Sequence, residues 1–395
     1  MKLSQRFSAK RLRSAFSLIE LMVSVAVLSM ILVIVFQMLE QMQKTWKRTR
    51  QSVSEFKDAR NGFEEMGRRL GQATMNAYFG YDYVPATLQG IPVRYGKEII
   101  RQSELHFVSG PSSILFGNST NKSSGSRPGH GVFFQAPFGF CYDRDKENKN
   151  RLQYEQLNNL LNAWGYYVQF NTDEADRPNF LNALRNAPKP RARYRLMEFR
   201  QPTEYLQVYK IGLRDLKSPK QTEVYRWFGD GLFSVNSPWN TQIEAAKDLT
   251  FFRTTRPIAE NILAMIIQPR ESLSQDASKK PESLAPDFLY DTRRWQWSNP
   301  NAAGAAKSRH QLPPILDVSF IAVDETSFAT YAARLGIDAV DKETKIFPVD
   351  LFTKGAKLEE DFTEAEEILK TLKLEYRIFS TSIRLRESKW TDTTP

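Results

Sequence analysis

Few residues in this chain of 395 are spaced for chemistry. Asp143, Asp145 and Glu147 open like a calcium loop, in which alternate carboxylates face one ion. The turn glycine and closing glutamate of such a loop are missing, and Lys146 and Lys149 intrude, so the stretch reads as a solvated charged loop. His106, His130 and His310 have no metal-ligand spacing; His130, between Gly129 and Gly131, reads as a turn residue. Ser113, Ser124 and Ser126 share a Gly/Ser-rich loop that lacks both a nucleophile elbow and a phosphate-loop pattern. Arg191, Arg193, Tyr194 and Arg195 read as the basic face of a strand. Glu364, Glu366 and Glu367 fall where a C-terminal helix begins and favour its dipole. These patterns assign no catalytic residue, no metal and no cofactor, and the chain is expected not to be an enzyme.

One acid stands apart. Between residues 16 and 36 the chain is mostly apolar and carries a single charge, Glu20. As a helix, these 21 residues reach about 30 Å, the thickness of a hydrocarbon core. That is longer than the apolar core of a secretory signal, and no A-x-A cleavage site follows it. A carboxylate this close to lipid costs roughly 2.5 kcal/mol or more and calls for a partner, unless it snorkels to the interface.

The neighbours of Glu20 narrow its role. A basic leader, Ala15, Phe16, then Ser17-Leu18-Ile19-Glu20-Leu21 resembles the prepilin-type cleavage and methylation motif of type IV pilins and type II secretion pseudopilins. The resemblance implies that a prepilin peptidase cuts between Ala15 and Phe16 on the cytoplasmic side. Phe16 then becomes an N-methylated terminus, and Glu20 the fifth mature residue. Phe16, Leu18, Ile19 and Glu20 become the assembly segment, in which a neighbouring subunit's carboxylate neutralises the new ammonium. The family usually carries Gly where Ala15 stands, so cleavage is expected to be slower or unaffected. Implied partners are the peptidase, other pilin-like subunits, and an assembly platform protein with its ATPase. The implied location is a single pass of the inner membrane, with the leader cytoplasmic and the head periplasmic or extracellular after assembly.

Composition agrees with an ordinary folded head, at 41% hydrophobic and 12% aromatic residues. Five of the ten net positive charges lie in the leader, leaving +5 and no case for nucleic-acid binding. The lone Cys141 permits no intramolecular disulfide and is expected to be buried and inert. After the span, Leu39, Met42, Trp46, Val53, Phe56, Phe63, Met66, Leu70 and Ala73 form a helical stripe. No proline precedes residue 85, so one helix of about 90 Å is expected from Phe16 to about Asn76. Its first half is assigned to partners and its second to the head. The scheme is therefore a leader at 1–15, a transmembrane assembly segment at 16–36, an amphipathic stem at 37–79 and a head at 80–395.

Within the head, 262–267 reads as a buried strand and 315–323 as a half-buried one, with a helix over 363–372 and a further strand from Tyr376. Other strand candidates are 104–108, 132–135, 166–170, 193–199, 205–209 and 224–228. The expected fold is α+β: a long N-terminal helix, then a mainly antiparallel β head with long loops at 109–131 and 292–311. Trp295 and Trp297 in the second loop read as interface residues or buried anchors.

Residues 59–81, with Ala59-Arg60, Phe63, Met66 and Asn76-Ala77-Tyr78-Phe79, resemble the cassette protein C group of the Verru_Chthon pilin-like cassettes, similar to J-type minor pseudopilins. So do 259–267, 312–325 and 376–383. That resemblance implies a minor subunit of a pilus or pseudopilus. Two other readings stay open: a membrane-tethered exported enzyme, which needs a cleft gathering a His and two carboxylates, and an adhesive or ligand-binding head, which needs an Arg/aromatic groove around Arg191.

Overall fold

Helix α1 runs without interruption from Leu18 to Leu70 in the computed structural model of the chain. The structure describes residues 18–117, 125–142, 152, 154, 156–174, 177–182, 187–209, 219–233, 254–272, 283–299 and 304–391. The chain divides into two compact units, Met1–Ser54 and Glu55–Pro395. In the first, α1 presents its apolar side chains outward: from Leu18 to Trp46 every residue is exposed.

In the second unit the last turns of α1 join the core. Phe63, Met66, Leu70 and Ala73 are buried, as the stripe predicts, and Ala59 joins them. Two glycines let the helix come close to the sheets. A Cβ at Gly62 would lie 3.2 Å from Ala259 Cβ, and one at Gly67 would lie 3.5 Å from Ile383 Cδ1. Phe63 meets Phe320 edge-on at 4.7 Å. The helix stops at Leu70, short of the expected end at about Asn76. A turn at Gly71 and Gln72 follows, and the Thr74 N–H donates to the Gln135 carbonyl at 2.9 Å. Pairing with a strand captures the backbone that helix continuation would have used.

Three antiparallel sheets follow. β1 (Tyr78–Leu88) and β2 (Ile91–Gln102) form a ribbon. β3 (Val108–Pro111), β4 (His130–Ala136), β5 (Asn162–Thr172), β6 (Ala192–Gln201), β7 (Thr255–Glu260) and β9 (Tyr290–Asp291) form a six-stranded sheet ordered β7-β6-β5-β4-β3-β9. β8 (Ile262–Arg270), β10 (Ile315–Val323) and β11 (Tyr376–Arg384) make a three-stranded sheet ordered β11-β10-β8. The expected α+β class with an antiparallel head is what the chain adopts.

Side-chain alternation divides the core. On the six-stranded sheet Val132, Phe134, Trp164, Tyr166, Tyr194 and Leu196 face the larger cluster, shared with α1 and the three-stranded sheet. Their neighbours Phe133, Tyr167, Met197 and Phe199 face a second cluster, covered by helix α2 (Arg226–Phe233). Phe133 and Phe228 stack there at 4.1 Å. Helices α3 (Glu325–Leu335) and α4 (Leu358–Leu372) complete the larger cluster. The Asp324 side chain caps α3 by accepting from the Ser327 N–H at 3.0 Å.

Several expected elements differ. Residues 224–228 are helical, ending one short helix and starting α2. Their aromatic run has strand propensity, but Trp227 and Phe228 are both fully buried, which a one-faced strand does not allow at successive positions. Of residues 205–209, Tyr205 ends a 3₁₀ helix (Thr203–Tyr205) and Val208 and Tyr209 lie in a turn, and of 104–108 only Val108 is in a strand. The ribbon β1–β2 was not foreseen. α4 begins at Leu358, five residues before the expected start.

Candidate functional site

The first turn of α1 carries Leu18, Ile19 and Glu20, with Leu18 77% and Ile19 71% exposed. Glu20 is the only acid in that turn and is exposed. Ser24 and Ser29 direct their hydroxyls inward, donating to the carbonyls of Glu20 and Val25 at 2.7 and 2.8 Å, so neither adds a free polar group to the apolar surface. Leu18–Trp46 is long and apolar enough to cross a membrane, its most apolar 18-residue window having a mean hydropathy of 2.8. The last turns of α1 differ, burying Phe63, Met66 and Leu70. Ala15 and Phe16 lie outside the described residues.

The head gathers its polar residues into its interior. The His106 Nδ1 accepts from the Trp227 indole at 2.9 Å, which leaves the ring proton on Nε2, facing Asp291 Oδ1 at 2.8 Å. The Tyr225 hydroxyl donates to Asp291 Oδ2 at 2.8 Å, and the Arg293 N–H to Oδ1 at 2.7 Å. Burial alone would raise the Asp291 carboxyl; His106 and the other donors around it hold it below its usual range. Burial pushes His106 down, against the pull of Asp291. Both side chains are fully buried, so the pair is sealed from any substrate.

His130 is not a turn residue. It opens β4 at 1% exposure. Its Nδ1 accepts from the Ile267 N–H at 2.9 Å, and its Nε2 donates to the Phe352 carbonyl at 2.9 Å. Burial lowers its pKa to about 4. His310, in a left-handed backbone conformation beside Trp295, is lowered to about 3 by burial and by the cations Arg293 and Arg309.

The arginines around 193 do not present a bare basic face. Arg193 binds Glu325 at 2.6 Å and Arg195 binds Glu260 at 3.0 Å; Arg191 reaches both carboxylates at 3.4 Å. Asn261 also donates to Glu325 at 2.8 Å. Burial would raise Glu325, but Arg193 and Asn261 hold it low. Tyr194 is buried, its hydroxyl donating to Glu343 at 2.8 Å. Ser126 also donates to Glu343.

Trp295 and Trp297 are half-buried anchors. Arg309 lies 4.5 Å over the Trp295 ring, and the Trp297 indole donates to Asp291 at 3.3 Å. Cys141 is buried. Among the described residues no three His, Cys, Asp or Glu side chains gather as around a metal ion. Asp143, Asp145, Glu147 and Ser124 lie outside the described residues, and Ser113 is exposed. The Asp291 network joins residues up to 185 positions apart, and no spacing in the chain signals it.

Residues 10–36 match the family model of the prokaryotic N-terminal methylation motif. The matched stretch runs from the basic leader into the apolar half of α1, so the chain carries a prepilin-type motif joined to a helix suited to membrane anchoring. No curated protein and no solved structure matches the chain.

Proposed function

We propose that the chain is a pilin-like subunit, cut by a prepilin peptidase between Ala15 and Phe16, N-methylated at Phe16, and assembled through its N-terminal helix. The observation that carries this reading is the methylation motif at residues 10–36, continuous with an exposed apolar helix whose stretch up to Phe36 holds one carboxylate, Glu20. Within a bundle of such helices, Glu20 pairs with the free ammonium of a neighbour, and Leu18 and Ile19 pack beside that pair. Two charges that are each expensive in an apolar medium attract strongly there, which fixes the axial stagger between subunits. Other pilin-like subunits supply those helices, and a platform protein with its cytoplasmic ATPase drives extraction from the inner membrane. The head then faces the periplasm or the exterior.

The size of the head and the resemblance to J-type pseudopilins support a minor subunit of a pilus or pseudopilus, of the Verru_Chthon cassette C type, in place of a repeating one. The work of the molecule is then mechanical and not catalytic. Two facts weigh on the other readings. The three histidines are interior, and the arginines around 193 are occupied by carboxylates. The test is mass spectrometry of the native N-terminus. N-methyl-Phe16 is expected; an intact Met1, or a cut beyond the apolar run, overturns the reading.

A further inference from the structure

The ribbon β1–β2 stands on the head with most of its surface bare. Among the described residues its eleven-residue first strand and twelve-residue second strand pair only with each other, joined by a turn at Gln89 and Gly90 with φ of 47° and 81°. Eight large apolar side chains between Tyr78 and Ile99 are 43–64% exposed. An isolated two-stranded ribbon is marginal in water. This one is stiffened on one face by an aromatic ladder. Arg101 lies 5.4 Å over Phe79, Tyr81 and Tyr83 are 6.3 Å apart, and Tyr81 lies across Gly96, where a Cβ would come within 2.8 Å of its ring.

We propose that β1 is a dimerisation edge, which pairs antiparallel with β1 of a second copy of this chain to make a four-stranded sheet. Three observations favour that occupant. The first is apolar exposure: Tyr78, Phe79, Tyr81 and Tyr83 of β1 are 43–59% exposed and, at roughly 150–250 Å² each, offer on the order of 400 Å² per copy, to which the paired backbone edges add. The second is the asymmetry of the edges. β2 is guarded by Pro92, Arg94, Lys97 and a bulge, the devices that keep strand edges from pairing. β1 has its own proline, Pro85, but ahead of it, over residues 78–83, it carries one charge, Asp82. The third is symmetry. A two-fold axis through this stretch keeps both ladders of Phe79, Tyr81 and Tyr83 on the same side of the joined sheet, so the surface is self-complementary. Burial in lipid would cover the apolar side chains but leave unpaired any strand edge that enters hydrocarbon, where each such backbone group costs several kcal/mol. A strand satisfies both.

The inference does not depend on the pilin reading, and the full chain reconstituted in lipid nanodiscs tests it. Light scattering is expected to show a dimer. Tyr81→Glu with Tyr83→Glu should weaken association at least tenfold while leaving the urea midpoint of the head unchanged. In membranes, Tyr81→Cys on a Cys141→Ser background should form a disulfide-linked dimer on mild oxidation, whereas Asp350→Cys on that background should not. A monomeric wild-type chain overturns the proposal. So does a dimer indifferent to the double substitution, as association through α1 alone would give, or a double variant whose only loss is adhesion to anionic vesicles.

Discussion

At the scale of the residue, the histidines of the head are acid-sensitive struts. His130 is held neutral because both of its ring nitrogens are committed: Nδ1 accepts from Ile267 and Nε2 donates to Phe352. A second proton on Nδ1 would point at an N–H that already donates to it. In the unfolded chain a histidine takes that proton near pH 6.5, and in the folded head only at about 4. Between those values the unfolded state binds more protons, so stability falls as pH drops from about 6.5 toward 4. The slope is about 1.4 kcal/mol per pH unit for each such histidine. His310 acts in the same direction, down to about 3. Asp291 adds a loss only at lower pH, because its depressed carboxyl keeps its charge until below the ordinary carboxylate range. Urea midpoints measured from pH 7 to 4 should therefore fall steadily. His130→Gln, which keeps one donor and one acceptor, should remove one histidine's share of the slope.

At the scale of the element, the last turns of α1 are fastened where side chains are smallest. Gly62 stands against Ala259, with room for no more than a methyl group under slight compression. Gly62→Leu should lift the helix from β7 and destabilise the head by about 1–3 kcal/mol, read from the urea midpoint. This junction was half legible in the sequence. The stripe of Phe63, Met66 and Leu70 has helical period, and 315–323 alternates as a half-buried strand should; both elements fall where the pattern puts them. Helix termination at Leu70 was not legible, because it depends on a contact with Gln135, 61 positions beyond Thr74. The ribbon was missed because its turn, Gln89-Gly90, lacks the usual Asn or Asp before Gly, and its apolar residues face solvent on both sides. Burial also reversed the reading of 224–228, where consecutive aromatic residues enter one core from a helix. The buried network around Asp291 is a product of topology alone.

At the scale of the whole molecule, the two units obey opposite rules. The head turns its ionisable groups inward and pairs them, as Glu198 shows by accepting from Trp164, Tyr166 and Arg256 in the core. The span does the reverse, exposing apolar surface and keeping an acid, Glu20, near its start. An acid that served only solubility would be more useful outside the apolar run, where it costs nothing to hydrate. Its position therefore sets a test that separates assembly from folding. Glu20→Ala removes a charge from the lipid-facing segment, so insertion should be unchanged or slightly favoured, and the head, an independent compact unit, should keep its urea midpoint. Incorporation into assemblies should fall at least tenfold, as expected on losing one partner of a desolvated ion pair worth more than about 1.4 kcal/mol. Glu20→Asp, which keeps the charge but shortens its reach, should recover part of the loss. Quantifying sheared or detergent-resistant assemblies against total membrane protein gives the measurement. If Glu20→Ala assembles as well as the wild type, the carboxylate holds no register between subunits, and α1 must associate through its apolar surface alone.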